Sequence, residues 1–218
     1  MRRVVVFDLD DTLYKEVDFL KSAYEEISLW IQKKYSINDV YEFMIDCYYS
    51  GKNVFMSLNE KYLLNIDIDD FLCIYRNHIP DISLEMDTDT TLREFLDRGY
   101  KLGIITDGRV ISQKNKIESL GLRKYISEEN CIISESFGYG KPSIEGYSFF
   151  FNKWGTAKYY YVGDNISKDF IAPNQLGWDT VCLLDDGRNI HKQNFSEPSM
   201  NLPKYTIAKF VELLKIID

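Results

Sequence analysis

Basic residues are in short supply: 26 lysines and arginines face 34 aspartates and glutamates, leaving a formal charge of −8. So acidic a chain lacks the positive surface that displaces counterions from a nucleic acid, and no nucleic-acid partner is expected. Histidine is scarcer still, with only His78 and His191. His78 falls in a helical stretch and His191 in a polar loop, neither beside a nucleophile elbow, so a Ser-His-Asp hydrolase has no motif to stand on. The four cysteines, Cys47, Cys73, Cys131 and Cys182, are widely spaced among apolar neighbours. That spacing predicts buried, reduced thiols rather than a disulfide framework or a zinc site. No apolar run approaches the length of a membrane span, and Met1-Arg2-Arg3 runs straight into a strand with no space for a signal-peptide core. The expectation is a cytoplasmic protein, monomer or homodimer, without a membrane partner.

What is present is organised around the first dozen residues. Val4, Val5, Val6 and Phe7 form an apolar run, mostly β-branched, that predicts a strand buried on both faces in the middle of a parallel sheet. Alternation sets Asp8 and Asp10 on one side, with Leu9 facing away, at the carboxyl end where open α/β sheets hold ligands. Two carboxylates so close repel unless a cation or a shared proton relieves them, and a divalent metal is the natural candidate.

Beyond Thr12 the rhythm turns helical. Phe19, Leu20, Ala23, Tyr24, Ile27, Trp30 and Ile31 recur at three- and four-residue spacing, and further helices are expected over about 36–49, 53–64 and 68–77. Pro80 and Asp81 mark the return. From about Thr90 strands and helices alternate: strands at 101–106, 130–134, 159–162 and 180–184, an edge strand at 205–207, and helices at 110–120, 144–154, 167–176 and 208–217. This alternation implies a doubly wound parallel sheet with right-handed crossovers. The polar stretch 185–203 reads as a surface loop.

Three more motifs sit at strand ends or helix starts. Thr106-Asp107-Gly108 closes the second strand, Gly138-Tyr139-Gly140-Lys141-Pro142 precedes a helix, and Gly163-Asp164-Asn165-Ile166-Ser167-Lys168-Asp169 follows the fourth strand. The lysine loop is no Walker motif, because Glu135 stands where the first glycine belongs and Pro142 where Ser or Thr belongs. With Asp8-Leu9-Asp10-Asp11-Thr12 leading, the set resembles, in order, the four motifs of the haloacid dehalogenase superfamily. The helical insert resembles that superfamily's C1-type cap, and Gly177 to Val181 fits the strand that follows motif IV in its subfamily I.

The resemblance implies a Rossmann-like doubly wound α/β core, residues 1–14 and 84–218, with an inserted α-helical cap, 15–83. It also implies a phosphatase acting on a small phosphorylated metabolite such as a sugar phosphate, a phosphoglycolate-like acid or a nucleoside monophosphate. Asp8 would be the nucleophile, forming an aspartyl-phosphate. Mg2+ would be held by the Asp8 carboxylate, the Asp10 carbonyl and Asp164. Asp169, expected in the first turn of the next helix, would support that metal site or pair with the lysine. Asp10 would be the acid and base, with a pKa near the operating pH. Thr106 and Lys141 would bind phosphoryl oxygens, backbone amides beside Thr106 at Asp107 and Gly108 would assist, and Thr12 would support the geometry. Family phosphatases often carry asparagine where this chain has Asp107, an added negative charge. In the cap, the turn bearing Tyr49 and Lys52 is expected to reach the core and read the leaving group. Asp10 favours a phosphatase or a phosphomutase over a dehalogenase, whose halide leaves unprotonated. A non-catalytic binding module is the other class, and the presence of Asp8, Asp10 and Lys141 together speaks against it.

Overall fold

The computed structural model describes residues 1–217. The opening apolar run forms β1 (Arg3–Phe7), followed by four helices, α1 (Glu16–Tyr35), α2 (Val40–Tyr49), α3 (Val54–Lys61) and α4 (Ile68–Asn77). The chain returns through α5 (Met86–Asp97), β2 (Lys101–Thr106), α6 (Val110–Ser119), β3 (Cys131–Ile133) and a short α7 (Ser134–Phe137). It ends with α8 (Glu145–Trp154), β4 (Lys158–Gly163), α9 (Ile171–Gln175), β5 (Asp179–Leu183), β6 (Tyr205–Ile207) and α10 (Leu213–Ile216).

These strands form one parallel sheet in the order β3-β2-β1-β4-β5-β6. The chain winds outward from β1 to β3, then restarts at β4 on the other side. The crevice at the tips of β1 and β4 is therefore the topological switch point, where sheets of this kind bind ligands. Strand alternation divides the core in two. Val5 and Phe7 pack with Phe95 and Ile117 on one face, while Val4 and Val6 pack with Tyr147 and Phe150 on the other. Gly103 in β2 is needed for the second face, since an added Cβ would lie 2.6 Å from the Phe150 ring.

The four inserted helices bury an apolar cluster of their own, built from Ile27 and Ile31 of α1, Met44 of α2, Leu58 of α3 and Phe71 of α4. Local chemistry sets their ends. Ser36 turns left-handed after α1, the Asn53 side chain accepts from the Met56 N–H to start α3, and Asp67 does the same for Asp69 at α4. Helix α6 grips the end of this insert: Ser112 Oγ donates to Arg76 O (3.0 Å), and Asn115 Nδ2 donates to His78 O (2.9 Å).

Several boundaries differ from expectation. The α/β alternation resumes earlier than Thr90, with α5 starting at Met86, while α9 starts only at Ile171 and the final helix splits into a 3-10 turn, Phe210–Glu212, and α10. Residues before α9 turn instead of coiling because the Asn165 side chain accepts from the Ser167 N–H (3.1 Å) and Asp169 captures two backbone amides. All four cysteines are free thiols; Cys47 and Cys182 are buried, Cys131 is half-buried, and Cys73 is exposed on α4 rather than buried as expected. His78 is buried and His191 exposed. Among the described residues no helix is long and apolar enough to cross a membrane.

Candidate active site

The sheet ladder runs one residue past β1, with the Asp8 N–H donating to Val162 O at 2.8 Å, and this fixes Asp8 at the switch point. Asp8 Oδ1 accepts from Lys141 Nζ at 2.5 Å, and Oδ2 accepts from the Thr12 hydroxyl at 3.4 Å. Lys141 comes from the segment between α7 and α8, and its side chain is buried. It also pairs with Asp169 Oδ1 (2.7 Å) and donates to the Tyr161 hydroxyl (3.3 Å). Burial works against its charge, but Asp169 and Asp8 together hold it well above the ordinary lysine value. Burial also pushes the Asp8 carboxyl up to about 7, an effect that Lys141 only partly opposes and Asp169 reinforces.

Thr106 ends β2 with its hydroxyl buried and unpartnered. The extra charge at Asp107 is absorbed: Oδ1 accepts the Lys141 backbone N–H at 3.0 Å and Oδ2 pairs with Lys168 Nζ at 3.2 Å. The Gly108 N–H, expected to help hold phosphate, donates instead to Ser134 Oγ at 3.0 Å. Glycine is required there by its φ of 145° and by Gln113 Nε2, which would lie 2.6 Å from an added Cβ.

Asp10 is held from the side. Its Oδ1 accepts from Lys116 Nζ (2.7 Å) and from the Tyr14 hydroxyl (2.5 Å), while Oδ2 accepts from Gln113 Nε2 (3.0 Å). Burial alone would raise its pKa, but the Lys116 charge and these hydrogen bonds outweigh burial and hold the carboxyl below its usual range. Lys116, which the sequence did not signal, favours the ionised form, so a value near the operating pH calls for a further change around Asp10.

Asp8, Asp164 and Asp169 can each bring a carboxylate oxygen within 4.8 Å of the others. Asp169 is already committed. Its Oδ1 meets Lys141, and its Oδ2 accepts the N–H groups of Asp164 (3.1 Å) and Asn165 (2.8 Å). Asp164 accepts from Asn189 Nδ2 at 2.9 Å, and burial, with Asp8 and Asp169 adding repulsion, pushes its carboxyl up to about 9. Buried hard oxygen donors that repel one another in this way fit a divalent cation. Asp8 and Asp164 have the geometry for that role, whereas Asp169 serves Lys141 and the loop backbone.

The start of the polar stretch after β5 belongs to the site, which the sequence did not signal. Asn189 bridges Asp164 to Lys15, whose Nζ lies 2.7 Å from Asn189 Oδ1, and the Ile190 N–H donates to Asp11 Oδ2 at 2.9 Å. Asp11, at a left-handed φ of 57°, also accepts from the Glu16 N–H at 2.9 Å, so its carboxylate ties motif I to both the insert and this loop. The Ile190 side chain packs on the insert's apolar cluster.

A cavity of about 150 Å³ opens over these groups, lined by Asp8, Asp10, Thr106, Asp107, Asp164 and Lys168, with Glu16 and His191 also on its wall. Tyr49 is 67% exposed, Lys52 is exposed, and neither lines the cavity. Among the described residues of the insert it is Glu16, on α1, that lines the cavity. Lys116, Gln113, Lys168, Asn189 and Glu16 are the site residues that sequence reasoning missed.

The parallel sheet with an acidic, lysine-tethered cavity at its central strand tips defines a Rossmann-like α/β hydrolase. A model of the haloacid dehalogenase-like hydrolases matches residues 5–183, and the chain belongs to that family. As an enzyme it falls with the family's phosphoric monoester hydrolases. The glyceraldehyde 3-phosphate phosphatase of Methanocaldococcus jannaschii is 29% identical over 100% of this chain and 97% of its own. The pyrimidine 5'-nucleotidase YjjG of Escherichia coli is 24% identical over 71% of this chain and 66% of its own. Among solved structures, the magnesium-bound HAD hydrolase YfnB of Bacillus subtilis shares the fold with a TM-score of 0.68, at 20% identity and over 100% of this chain and 99% of that one. A HAD phosphatase of Thermococcus onnurineus shares it at 0.60, with 22% identity over 99% and 97%.

Proposed function

We propose that the protein is a Mg2+-dependent phosphatase that hydrolyses a triose-phosphate-sized ester through a phosphorylated Asp8. The observation that carries this reading is the Thr106 hydroxyl, a buried donor with no protein partner, on a residue lining the same cavity as the Lys141-tethered Asp8. An unsatisfied buried hydroxyl costs about 1–3 kcal/mol. A phosphoryl oxygen above Asp8 would satisfy it. The cavity of about 150 Å³ suits a phosphoryl group with a short carbon chain better than a nucleoside, in keeping with the substrate of the M. jannaschii relative.

In this reading an Asp8 oxygen attacks phosphorus, the ester P–O bond breaks, and the leaving alkoxide takes its proton from Asp10. Water then attacks phospho-Asp8, giving its proton to Asp10 and releasing inorganic phosphate. The approaching phosphate dianion raises the proton affinity of Asp10 against the pull of Lys116. Lys141 and Thr106 hold the equatorial oxygens, where charge gathers in the transition state. Asp8, Asp164 and the Asp10 carbonyl would hold Mg2+, which would supply the positive charge that lets a dianion approach the acids lining the cavity. Residues 15–83 act as the cap, hinged near Tyr14-Lys15 and Pro80-Asp81, and close over the substrate to exclude water.

The test is release of phosphate from p-nitrophenyl phosphate and from glyceraldehyde 3-phosphate. Turnover is expected with Mg2+ and none after EDTA, and Asp8→Asn should abolish both turnover and covalent labelling by substrate phosphate. Undiminished turnover in metal-free buffer, or in Asp8→Asn, would overturn the reading.

A further inference from the structure

Gln113 and Lys116 belong to none of the four motifs, yet both reach the acid two residues beyond the nucleophile. Three residues apart on α6, they emerge on one helical face. Lys116 Nζ meets Asp10 Oδ1 at 2.7 Å, and Gln113 Nε2 meets Oδ2 at 3.0 Å. The lysine is only 3% exposed, a costly place for an ammonium group without an ionic partner. Asp10 is that partner, with Glu16 farther off at 3.9 Å and the Phe19 ring 4.2 Å away. The same Gln113 nitrogen donates to Asp107 O at 2.9 Å, while its Oε1 is buried without a partner. An amide that leaves its own acceptor unsatisfied is held in place by what its N–H groups do.

The two oxygens of Asp10 are unequally occupied. Oδ1 receives two donors, Lys116 and Tyr14, which use both of its lone pairs; Oδ2 receives Gln113 alone. Only Oδ2 retains room for a proton. We propose that Gln113 and Lys116 are positioning residues: α6 clamps the Asp10 carboxylate so that Oδ2 is the oxygen that exchanges protons with the leaving group and with water. The proposal rests on the phosphatase reading. It also links the insert to proton transfer, because Glu16 and Phe19, which pack against the Lys116 ammonium, both belong to α1.

The experiment compares wild type, Lys116→Met, Gln113→Leu, Asp10→Asn and the Asp10→Asn/Lys116→Met double variant on glycerol 3-phosphate, whose alkoxide needs a proton, and on p-nitrophenyl phosphate, whose phenolate hardly does. Lys116→Met should lower kcat on the alkyl ester by roughly tenfold to a hundredfold, with the loss on the aryl ester roughly threefold or less and KM nearly constant. Gln113→Leu should show the same inequality with a smaller amplitude. In the Asp10→Asn background, adding Lys116→Met should cost no further activity on the alkyl ester, since the lysine acts through the missing carboxylate. Equal losses on the two esters, or an additive loss in the double variant, would overturn the proposal. If melting curves show that Lys116→Met does not fold, Gln113→Leu decides the matter by the same inequality. Wild-type inactivity on both esters overturns the phosphatase reading itself and takes this proposal with it.

Discussion

Metal-free protein should lose stability as pH rises through the range where most phosphatases are assayed, and Mg2+ should suppress the loss. In the folded chain burial pushes Asp8 up to about 7 and Asp164 up to about 9, each from an ordinary 3.8. Both shifts are upward, so between about pH 4 and those values the folded state keeps protons that the unfolded chain releases. Stability must fall with rising pH, by about 1.4 kcal/mol per unit for each such group. Between pH 5 and 7 the two carboxylates together remove at most about 5 kcal/mol, a large share of the 5–15 kcal/mol typical of a folded domain. Glu16, pushed up to about 8 by burial and by Asp10, adds in the same direction, but its partial exposure discounts it. Asp10, held below its usual range, has already made its contribution by pH 5 and does not change the slope.

In the proposed reading, bound Mg2+ would replace those protons. At a hundredfold excess over its dissociation constant it should restore about 2.7 kcal/mol and flatten the pH profile. Urea unfolding at pH 5, 6 and 7, in EDTA and in Mg2+, measures both effects. Asp164→Asn removes one of the two groups, so it should roughly halve the metal-free slope and abolish the Mg2+ increment. Metal-free stability that stayed level or rose from pH 5 to 7 would refute the reasoning, as would a Mg2+ increment that survived in Asp164→Asn.

Two further outcomes follow from the geometry. Asp107→Asn keeps an oxygen for the Lys141 backbone N–H and frees Lys168 from its part-exposed ion pair, so stability should change by less than about 1 kcal/mol while KM for a phosphate ester falls; an unchanged or higher KM would show that Lys168 does not turn to the substrate. Tyr49→Ala and Lys52→Ala, both exposed and outside the cavity, should leave kcat/KM within about twofold, whereas Glu16→Gln on the cavity wall should alter KM for the alkyl ester more than for p-nitrophenyl phosphate. A large effect at Tyr49 or Lys52 would mean that cap closure carries that turn inward.

The parts of this molecule legible in its sequence are those whose signal is local. Four apolar residues followed by Asp8 and Asp10 predict a central strand with acids at its tip because burial on two faces and a side-chain period of two act within a few residues. The insert is legible for the same reason, from its three- and four-residue apolar spacing. Asp169 reads in the sequence as a helix-start residue because propensity cannot foresee a carboxylate capturing the Asp164 and Asn165 amides to hold a turn. Gln113 and Lys116 look like two more polar residues on a solvated helix face, and only the seating of α6 against motif I buries them. Tyr49 and Lys52 have suitable chemistry but no packing signal to aim them.

What those tertiary contacts add is a rule for the acids. Asp8 has Lys141, Asp10 has Lys116 and Asp107 has Lys168, three lysines brought from three separate segments to three carboxylates lining one cavity. Each lysine holds its acid in a different way, with Asp8 tethered to a buried ammonium, Asp10 met at one oxygen, and Asp107 neutralised and used to hold a loop. Asp164 lines the same cavity but is bonded by the neutral amide of Asn189, and among the described residues no salt bridge reaches it. A buried carboxylate denied a lysine must either keep its proton or meet another cation. Its pKa of about 9 is the first of these outcomes, and the neighbouring oxygen of Asp8 makes the second available. In the proposed reading, the missing lysine, as much as the acids present, is what would reserve that end of the cavity for a divalent ion.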